Sequence, residues 1–141
     1  MKIKIKYLSD IKPIEVNKVG DWIDLRSAET IKLNPLQSAI IRLGVAIELP
    51  KGYEAIVAPR SSTFKKWGVM QTNSIGIIDE KYCGDNDEWC IPVIALHKTI
   101  IKKNDRICQF RILKHQPEID IEEVKELGNP DRKGFGSTGE N

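Results

Sequence analysis

The stretch "SAIIRLGVAIELPKGYEAIVAP" (38–59) decides the fold class of this sequence. Residues 38–49 are rich in β-branched side chains, which favour strands. They end at the Pro-Lys-Gly sequence of 50–52, where proline and glycine are typical of a turn. Residues 53–59 then predict a return strand, so the whole stretch predicts a β-hairpin.

Further strands are predicted on both sides of this hairpin. Lysine alternates with apolar residues over 1–7, which is typical of an edge strand that keeps its lysines in water. Residues 89–96 and 106–113 are two more candidates, and the Asn-Asp pair at 104–105 supplies a turn before the second. Because proline donates no backbone hydrogen bond, Pro92 predicts that the first of these lies at a sheet edge or begins after Pro92.

Only one stretch, "SSTFKKWG" (61–68), is typical of a helix. Ser61 and Ser62 are candidate N-caps, two lysines lie in the last turn, and Gly68 is a stop signal. Many short strands, frequent turn signals and one short helix favour an all-β sandwich or barrel-like domain.

The composition changes after residue 127. Residues 1–127 carry the predicted strands, whereas residues 128–141 are rich in glycine and poor in apolar side chains. We therefore predict a β domain over 1–127 and a flexible C-terminal arm over 128–141.

Composition excludes several classes of protein. The chain has 141 residues, of which 40% are hydrophobic and 30% charged, as is ordinary for one globular domain. Its net charge of +2 does not indicate a nucleic-acid binder, which usually carries a basic stripe. No apolar run reaches the roughly 18 residues of a membrane span, and the N-terminus lacks the apolar core of a signal peptide. We therefore expect a cytoplasmic protein without a membrane or nucleic-acid partner.

The cysteines predict reduced thiols. There are three, Cys83, Cys90 and Cys108, an odd number without CxxC spacing, which does not fit a disulfide framework or a zinc site. A nucleophilic role for Cys108 stays open, but a buried free thiol is the more common case.

The sequence "APRSS" (58–62) is a candidate phosphate site. A helix that starts at Ser61 or Ser62 presents unpaired backbone N–H groups, which attract anions. Arg60 adds a planar guanidinium that can grip phosphate oxygens or a carboxylate. Judged alone, a serine N-cap beside a surface arginine explains the pattern more simply.

The stretch "NSIGIIDEKYCGD" (73–85) places one carboxylate beside the most apolar residues of its region. Asn73, Gly76, Asp79 and Tyr82 recur at intervals of three, which does not fit one face of a strand. The spacing suits a hairpin that folds around a flat heterocycle and offers it amide and backbone hydrogen-bonding groups. Asp79 could then orient a water molecule as a general base, although a turn residue is the simpler interpretation of Asp79 alone.

The C-terminal arm carries a candidate anion-binding segment. Glycines around Ser137 and Thr138 can bring backbone N–H groups close to an anion, while Arg132 adds charge and Phe135 a stacking face. A Walker-type loop is excluded because the GK[ST] ending and the following helix are missing, and a disordered tail is the alternative.

Two predicted strands carry weaker candidates. Asp24 lies in "GDWIDL", and Arg106 and Gln109 lie in "DRICQF". Each residue by itself is also typical of an ordinary surface strand.

Taken in order, these segments resemble the five motifs of the trimeric dUTP pyrophosphatases, the dUTPases. The matching segments are GDWIDLRSAE, PRSS, NSIGIIDEKYCG, DRICQ and RKGFGSTG, between about residue 20 and residue 139. The resemblance implies an all-β fold, a distorted jelly roll of the β-clip type, that forms a homotrimer. Each active site would lie between subunits, and the arm would close over a site formed by its neighbours.

The resemblance also implies a reaction, in which dUTP and water give dUMP and pyrophosphate with Mg²⁺ as cofactor. Such a reaction limits uracil incorporation into DNA and supplies dUMP for dTTP synthesis. Asp79 would orient the water that attacks the α-phosphorus in line, mainly by positioning it. Tyr82 would stack on the sugar and leave no room for a 2′-hydroxyl. Asn73 and the backbone of Gly76, Ile77 and Ile78 would read the uracil edge.

The remaining implied roles concern the phosphates and the arm. Arg60 would pair with Asp24 and hold the motifs in register, with Arg106 as a supporting residue. Mg²⁺ would be held by phosphate oxygens and waters, with no direct protein ligand and Asp24 at most in its outer shell. Further contacts to the nucleotide would come from Ser61, Ser62, Gln109, Arg132, Phe135, Gly136, Ser137 and Thr138, with Phe135 stacking over the uracil.

Two alternatives stay open at the level of sequence. A dCTP deaminase resembles this fold and shares an Arg-Ser-Ser element, but would be expected to use a glutamate in place of the aspartate–tyrosine pair. A non-catalytic nucleotide sensor or protein-binding module is the second alternative. Residues 85–89 resemble a short insertion without an assigned role, and they are the first place to look for a regulatory protein partner.

Overall fold

The computed structural model describes residues 1–16 and 18–136. These residues form eleven strands and one short helix, which confirms the predicted all-β class. The elements in chain order are β1 (Lys4–Tyr7), β2 (Ile23–Arg26), β3 (Ile31–Leu33), β4 (Ser38–Arg42), β5 (Val45–Glu48), β6 (Tyr53–Pro59), α1 (Thr63–Trp67), β7 (Val69–Gln71), β8 (Gly76–Ile78), β9 (Cys90–Ala95), β10 (Thr99–Ile101) and β11 (Arg106–Lys114).

Four antiparallel sheets surround one hydrophobic core. The largest has the order β2-β11-β6-β8, a second has the order β4-β9-β7, and two small sheets pair β1 with β5 and β10 with β3. Trp89 and Phe110 are fully buried at the centre, and their rings meet edge to face with centroids 5.2 Å apart. Edge-to-face contact is a preferred geometry for aromatic pairs, so these two rings fix the packing between the two larger sheets.

The predicted hairpin over 38–59 is wrong. The chain breaks into β4 and β5 at Gly44, whose positive φ of 71° is a conformation that glycine adopts without strain. The turn at 50–52 is present, but β5 pairs with β1, whereas β6 pairs with β11 and β8. The turn therefore sends the chain from one sheet to another, a choice that depends on tertiary packing rather than on local pattern.

The prediction that Pro92 marks an edge or a strand start is also wrong, because β9 begins at Cys90 and lies between β4 and β7. The Pro92 carbonyl accepts a hydrogen bond from the Thr72 backbone N–H at 3.0 Å, just beyond the end of β7. The backbone N and C=O of one strand residue point toward the same neighbouring strand, which for Pro92 is β7. Because β7 has already ended at this position, the missing N–H of Pro92 removes no hydrogen bond between β9 and β7.

The helix prediction is correct in its position and in giving Ser62 as a candidate N-cap residue, but the side-chain hydrogen bond of such a cap is absent. Ser62 is the N-cap residue, but its side chain accepts no capping hydrogen bond. Gly68 ends the helix in the left-handed conformation, and its N–H bonds the Phe64 carbonyl. None of the described helices is long and apolar enough to cross a membrane.

Candidate active site

One cluster of the predicted site residues surrounds Asp24 on β2. The Arg60 Nε lies 2.9 Å from Asp24 Oδ1, and the Arg106 Nη1 lies 3.3 Å from Asp24 Oδ2. Arg60 also donates to the Arg106 backbone carbonyl at 3.2 Å. The Arg60–Asp24 pair expected from the resemblance is therefore present, and it ties the ends of β2, β6 and β11 together.

Sequence reasoning missed Thr63, which positions Arg60. Thr63 is 1% exposed, and its hydroxyl accepts from the Arg60 N–H at 2.8 Å and donates to the Ile107 carbonyl at 2.9 Å. Its backbone N–H also bonds the Arg60 carbonyl at 3.0 Å. A threonine three residues after an arginine can close such a turn through its side chain, which was the available signal.

A β-bulge sets the direction of Arg106. Along β11 the pairing to β2 moves from Arg106↔Arg26 to Cys108↔Leu25, so two residue steps on β11 oppose one on β2. A bulge of this kind bends the strand and changes the direction of the neighbouring side chains. Gln109 follows, and its amide donates to the Pro59 carbonyl at 3.0 Å.

The turn at 72–75 joins β7 to β8 without pairing them, because β7 belongs to the sheet of β9 and β8 to the sheet of β6. The hairpin predicted for the stretch 73–85 is therefore not a pair of β7 and β8, and β8 is the described strand within that stretch. Ser74 holds a positive φ of 63°, and the Ile75 N–H bonds the Asn73 carbonyl at 2.7 Å, which makes the turn tight. Asn73 and Ile77 are exposed, whereas Gly76 and Ile78 are half-buried.

Asp79 and Tyr82 line one shallow cavity of about 310 Å³, together with Ile77 and Trp89. Asp79 is exposed, accepts from the Lys81 N–H through Oδ1 at 2.7 Å, and accepts from the Tyr82 N–H through its carbonyl at 3.0 Å. Burial raises the pKa of the Tyr82 phenol, and the negative charge of Asp87 adds to the shift. The phenol therefore stays protonated, and it donates to the Glu88 carbonyl at 2.9 Å.

The two clusters lie at opposite ends of β6. Asp79 directly follows Ile78, which pairs with Ala55 near the start of β6, while Arg60 follows the last residue of the same strand. At roughly 3.3 Å per residue, the five steps from Ala55 to Arg60 span about 16 Å. The chain therefore does not bring Asp79 to the Arg60 cluster by itself.

The arm makes a third, separate group. Arg132, Phe135 and Gly136 are exposed, and the Phe135 side chain is exposed in full. The predicted residues Ser137 and Thr138 lie outside the described part of the chain. The exposed part of the chain begins before residue 128, where the predicted arm starts, because every residue from Lys114 to Gly136 is exposed.

Cys108 is buried, as expected for a structural thiol. Burial raises the pKa of the Cys108 thiol far above its usual range, so the thiolate that a nucleophile needs is not formed at neutral pH. Cys83 is exposed and Cys90 half-buried, and all three cysteines are free.

The described residues contain no group of three or more His, Cys, Asp or Glu side chains that could hold a metal ion. Both Asp24 oxygens are engaged by guanidinium groups. Mg²⁺ is commonly bound through one or two carboxylates, waters and substrate phosphates, without a cage of protein ligands. The residues present therefore fit a Mg²⁺ ion whose ligands come mainly from a phosphorylated ligand and water.

Together, the all-β fold, the Asp24–Arg60 cluster and the Asp79–Tyr82 cavity define a small β domain with two separate groups of polar side chains. The dUTPase family model matches residues 14–139, so the chain belongs to the dUTPase family. It is 58% identical to the SPbeta prophage-derived deoxyuridine 5′-triphosphate nucleotidohydrolase of Bacillus subtilis (strain 168), over 99% of each chain.

Solved structures agree with this assignment. The Staphylococcus bacteriophage 80alpha dUTPase with dUPNHPP superposes with a TM-score of 0.81 at 25% identity, over 98% of each chain. A variant dUTPase from phage phi11 of S. aureus, a structure concerned with the coordination of a structural Mg(II) ion, gives 0.76 at 22% identity, over 90% of this chain and 99% of the other. The distorted jelly roll implied by the resemblance is thereby confirmed.

Proposed function

We propose that this protein hydrolyses dUTP to dUMP and pyrophosphate with Mg²⁺, by in-line attack of water on the α-phosphorus. The observation that carries the proposal is the Asp79–Tyr82 turn, which sets an exposed carboxylate and an aromatic ring on one cavity beside Ile77. A nucleoside pocket followed by a water-orienting carboxylate is what such a reaction requires.

Asp79 is the residue proposed to orient the water. Its Oδ1 is held by the Lys81 N–H, which fixes the carboxylate and leaves Oδ2 for solvent. Holding the water at the correct angle removes entropy from the attack, and this is the main contribution of a weak base. Asp79→Asn keeps the shape of the site, and we expect it to abolish turnover while dUTP still binds.

Base selection is assigned to the turn at 72–75 and the start of β8. The Asn73 amide is exposed and offers both a donor and an acceptor, and the backbone of Gly76, Ile77 and Ile78 adds further groups. Cytosine presents a donor where uracil presents an acceptor, so it would leave buried polar groups unpaired. The Tyr82 ring, 40% exposed, is free to pack against the sugar.

Phosphate binding is assigned to the Asp24 cluster. The Arg60 guanidinium is held by Asp24 and Arg106, while Ser61 is exposed beside it. Ser62, Gln109 and the arm would complete the contacts. Mg²⁺, when bound with the nucleotide, would neutralise the negative charge on the phosphate oxygens.

The homotrimer that the resemblance implies is part of this proposal, and the separation of the clusters supports a site shared between subunits. Because Asp79 lies about 16 Å along β6 from Arg60 in one chain, at roughly 3.3 Å per residue, a single site needs one cluster from each of two subunits. The segment between the body and the arm also exposes apolar side chains that a neighbouring subunit would cover. They are Ile119, Ile121, Val124 and Leu127.

One assay separates this function from its alternatives. Purified protein is incubated with Mg²⁺ and, in turn, dUTP, dCTP, dTTP or UTP, while pyrophosphate and ammonia are followed. We expect pyrophosphate from dUTP only. Ammonia from dCTP would indicate a deaminase, and tight dUTP binding without turnover would indicate a sensor. The three free thiols fit the reducing conditions of the cytoplasm, where we place the reaction.

A further inference from the structure

The end of the segment 85–89, at Glu88 and Trp89, is anchored to the body of the domain. The Glu88 carboxylate accepts from Arg42 Nε at 3.0 Å and from the Gly44 N–H at 2.9 Å, and its side chain is only 18% exposed. The next residue, Trp89, is fully buried; its backbone N–H donates to the Val45 carbonyl at 2.9 Å, and its carbonyl accepts from the Leu43 N–H at 3.0 Å. The bend between β4 and β5 therefore fixes the position of the Glu88 backbone.

This fixed backbone holds Tyr82. The phenol donates to the Glu88 carbonyl at 2.9 Å, so the ring is tied at its far end as well as through its own backbone. At the near end, the Tyr82 N–H bonds the Asp79 carbonyl at 3.0 Å. These two bonds, to the carbonyls of Asp79 and Glu88, leave the ring little freedom to tilt, while Tyr82 stays 40% exposed.

We propose that Glu88 is a positioning residue for Tyr82 and thereby sets how strongly the site rejects a 2′-hydroxyl. The inference rests on the proposed function, in which the Tyr82 ring packs against the sugar. A ring that excludes one oxygen atom must be placed to within a fraction of an ångström, and displacement by about 1 Å can change a rate by about 100-fold. Without the carboxylate, only the backbone bonds of Trp89 still hold the Glu88 carbonyl, so it can shift and the ring can yield to the extra hydroxyl.

The test is the ratio of kcat/KM for dUTP to kcat/KM for UTP in Glu88→Ala and Glu88→Gln. We expect this ratio to fall about tenfold in Glu88→Ala, and less in Glu88→Gln, which keeps an acceptor for the Gly44 N–H. A purely structural role would lower both rates together and leave the ratio unchanged. The matched control is Glu29→Gln. Glu29 lies 3.9 Å from the same Arg42, so this variant removes the same charge, and its dUTP-to-UTP ratio should stay at the wild-type value.

A second variant tests the route through the ring. Tyr82→Phe removes only the hydroxyl, so it should lower the ratio by itself, and Glu88→Ala should then add nothing further. An unchanged ratio in both Glu88 variants, or effects of Glu88→Ala and Tyr82→Phe that multiply, would overturn the proposal. If Glu88→Ala does not fold, Glu88→Gln and Tyr82→Phe decide the question. Wild-type protein without dUTP turnover would instead refute the proposed function itself.

Discussion

Replacing Asp24 by asparagine removes the negative charge at the centre of the Asp24 cluster, to which phosphate binding is assigned by proposal, and keeps the size of the side chain. The Asp24 carboxylate accepts from Arg60 at 2.9 Å and from Arg106 at 3.3 Å, and the side chains of Asp24 and Arg60 are 24% and 20% exposed. A charge-assisted hydrogen bond contributes about 1.5–3 kcal/mol and a neutral one about 0.5–1.5 kcal/mol, so each converted bond loses about 1 kcal/mol. The Arg106 side chain is 50% exposed and its share is screened. We therefore expect Asp24→Asn to lower the free energy of unfolding by about 1–2 kcal/mol.

The same change should also lower kcat/KM for dUTP by about tenfold, because Arg60 loses the partner that aims it. Urea unfolding at one fixed protein concentration and steady-state kinetics measure the two effects. The control is Asp21→Asn, which removes the same charge from the same segment. Asp21 is 86% exposed and lies 3.8 Å from Arg111, so this variant should lose less than about 0.5 kcal/mol and keep its activity. Equal stability and equal activity of the two variants would refute the role given to Asp24.

Three further predictions concern the core, the helix and a thiol. Trp89→Leu removes half of the edge-to-face pair with Phe110 and should lower the free energy of unfolding by about 2–4 kcal/mol in urea, whereas unchanged stability would contradict the packing described. Gly68→Ala should lower the free energy of unfolding by about 1–2 kcal/mol by the same measurement, because the φ of Gly68 is 62° and the new Cβ would lie 2.9 Å from the His97 ring. Unchanged stability would contradict the left-handed conformation described for Gly68. Burial raises the pKa of the Cys108 thiol, so as the pH rises the unfolded chain loses this proton before the folded protein does. The protonated thiol therefore contributes fully to stability below about pH 8.5. Above that pH the free energy of unfolding falls by up to about 1.4 kcal/mol per pH unit. Unfolding at about pH 8 and about pH 9.5 should show a smaller loss in Cys108→Ala than in wild type, and equal losses would contradict the assignment.

The sequence predicted those parts of the fold that local chemistry determines. Period-two patterns located β6, β11 and the edge strand β1, and Gly68 marked the end of the helix. The pairing of the strands was not predictable in the same way. The turn at 50–52 is the same whether the chain returns along β5 or crosses to another sheet, and only the burial of the surrounding side chains decides between them.

The candidate site shows the same division. The resemblance implied that Asp24 pairs with Arg60, and the structure brings these two residues together. The spacing of Thr63 from Arg60 was a local signal, but the bonds from Thr63 to Ile107 and from Gly44 to Glu88 were not predictable, because each joins a side chain to a backbone group that is distant in the sequence. One sequence does not reveal which backbone group a side chain will bond, because every residue carries a backbone carbonyl and every residue except proline a backbone N–H.

The central claim, that one active site combines Asp79 of one subunit with Arg60 of another, is tested most directly by mixing two inactive variants. Asp79→Asn and Arg60→Gln are unfolded together in equal amounts, refolded, and assayed with dUTP and Mg²⁺ once native mass spectrometry has shown mixed trimers. Random assortment gives about one site in four with both wild-type residues, so we predict about a quarter of the wild-type turnover. Mixed trimers that stay as inactive as either parent would contradict the claim.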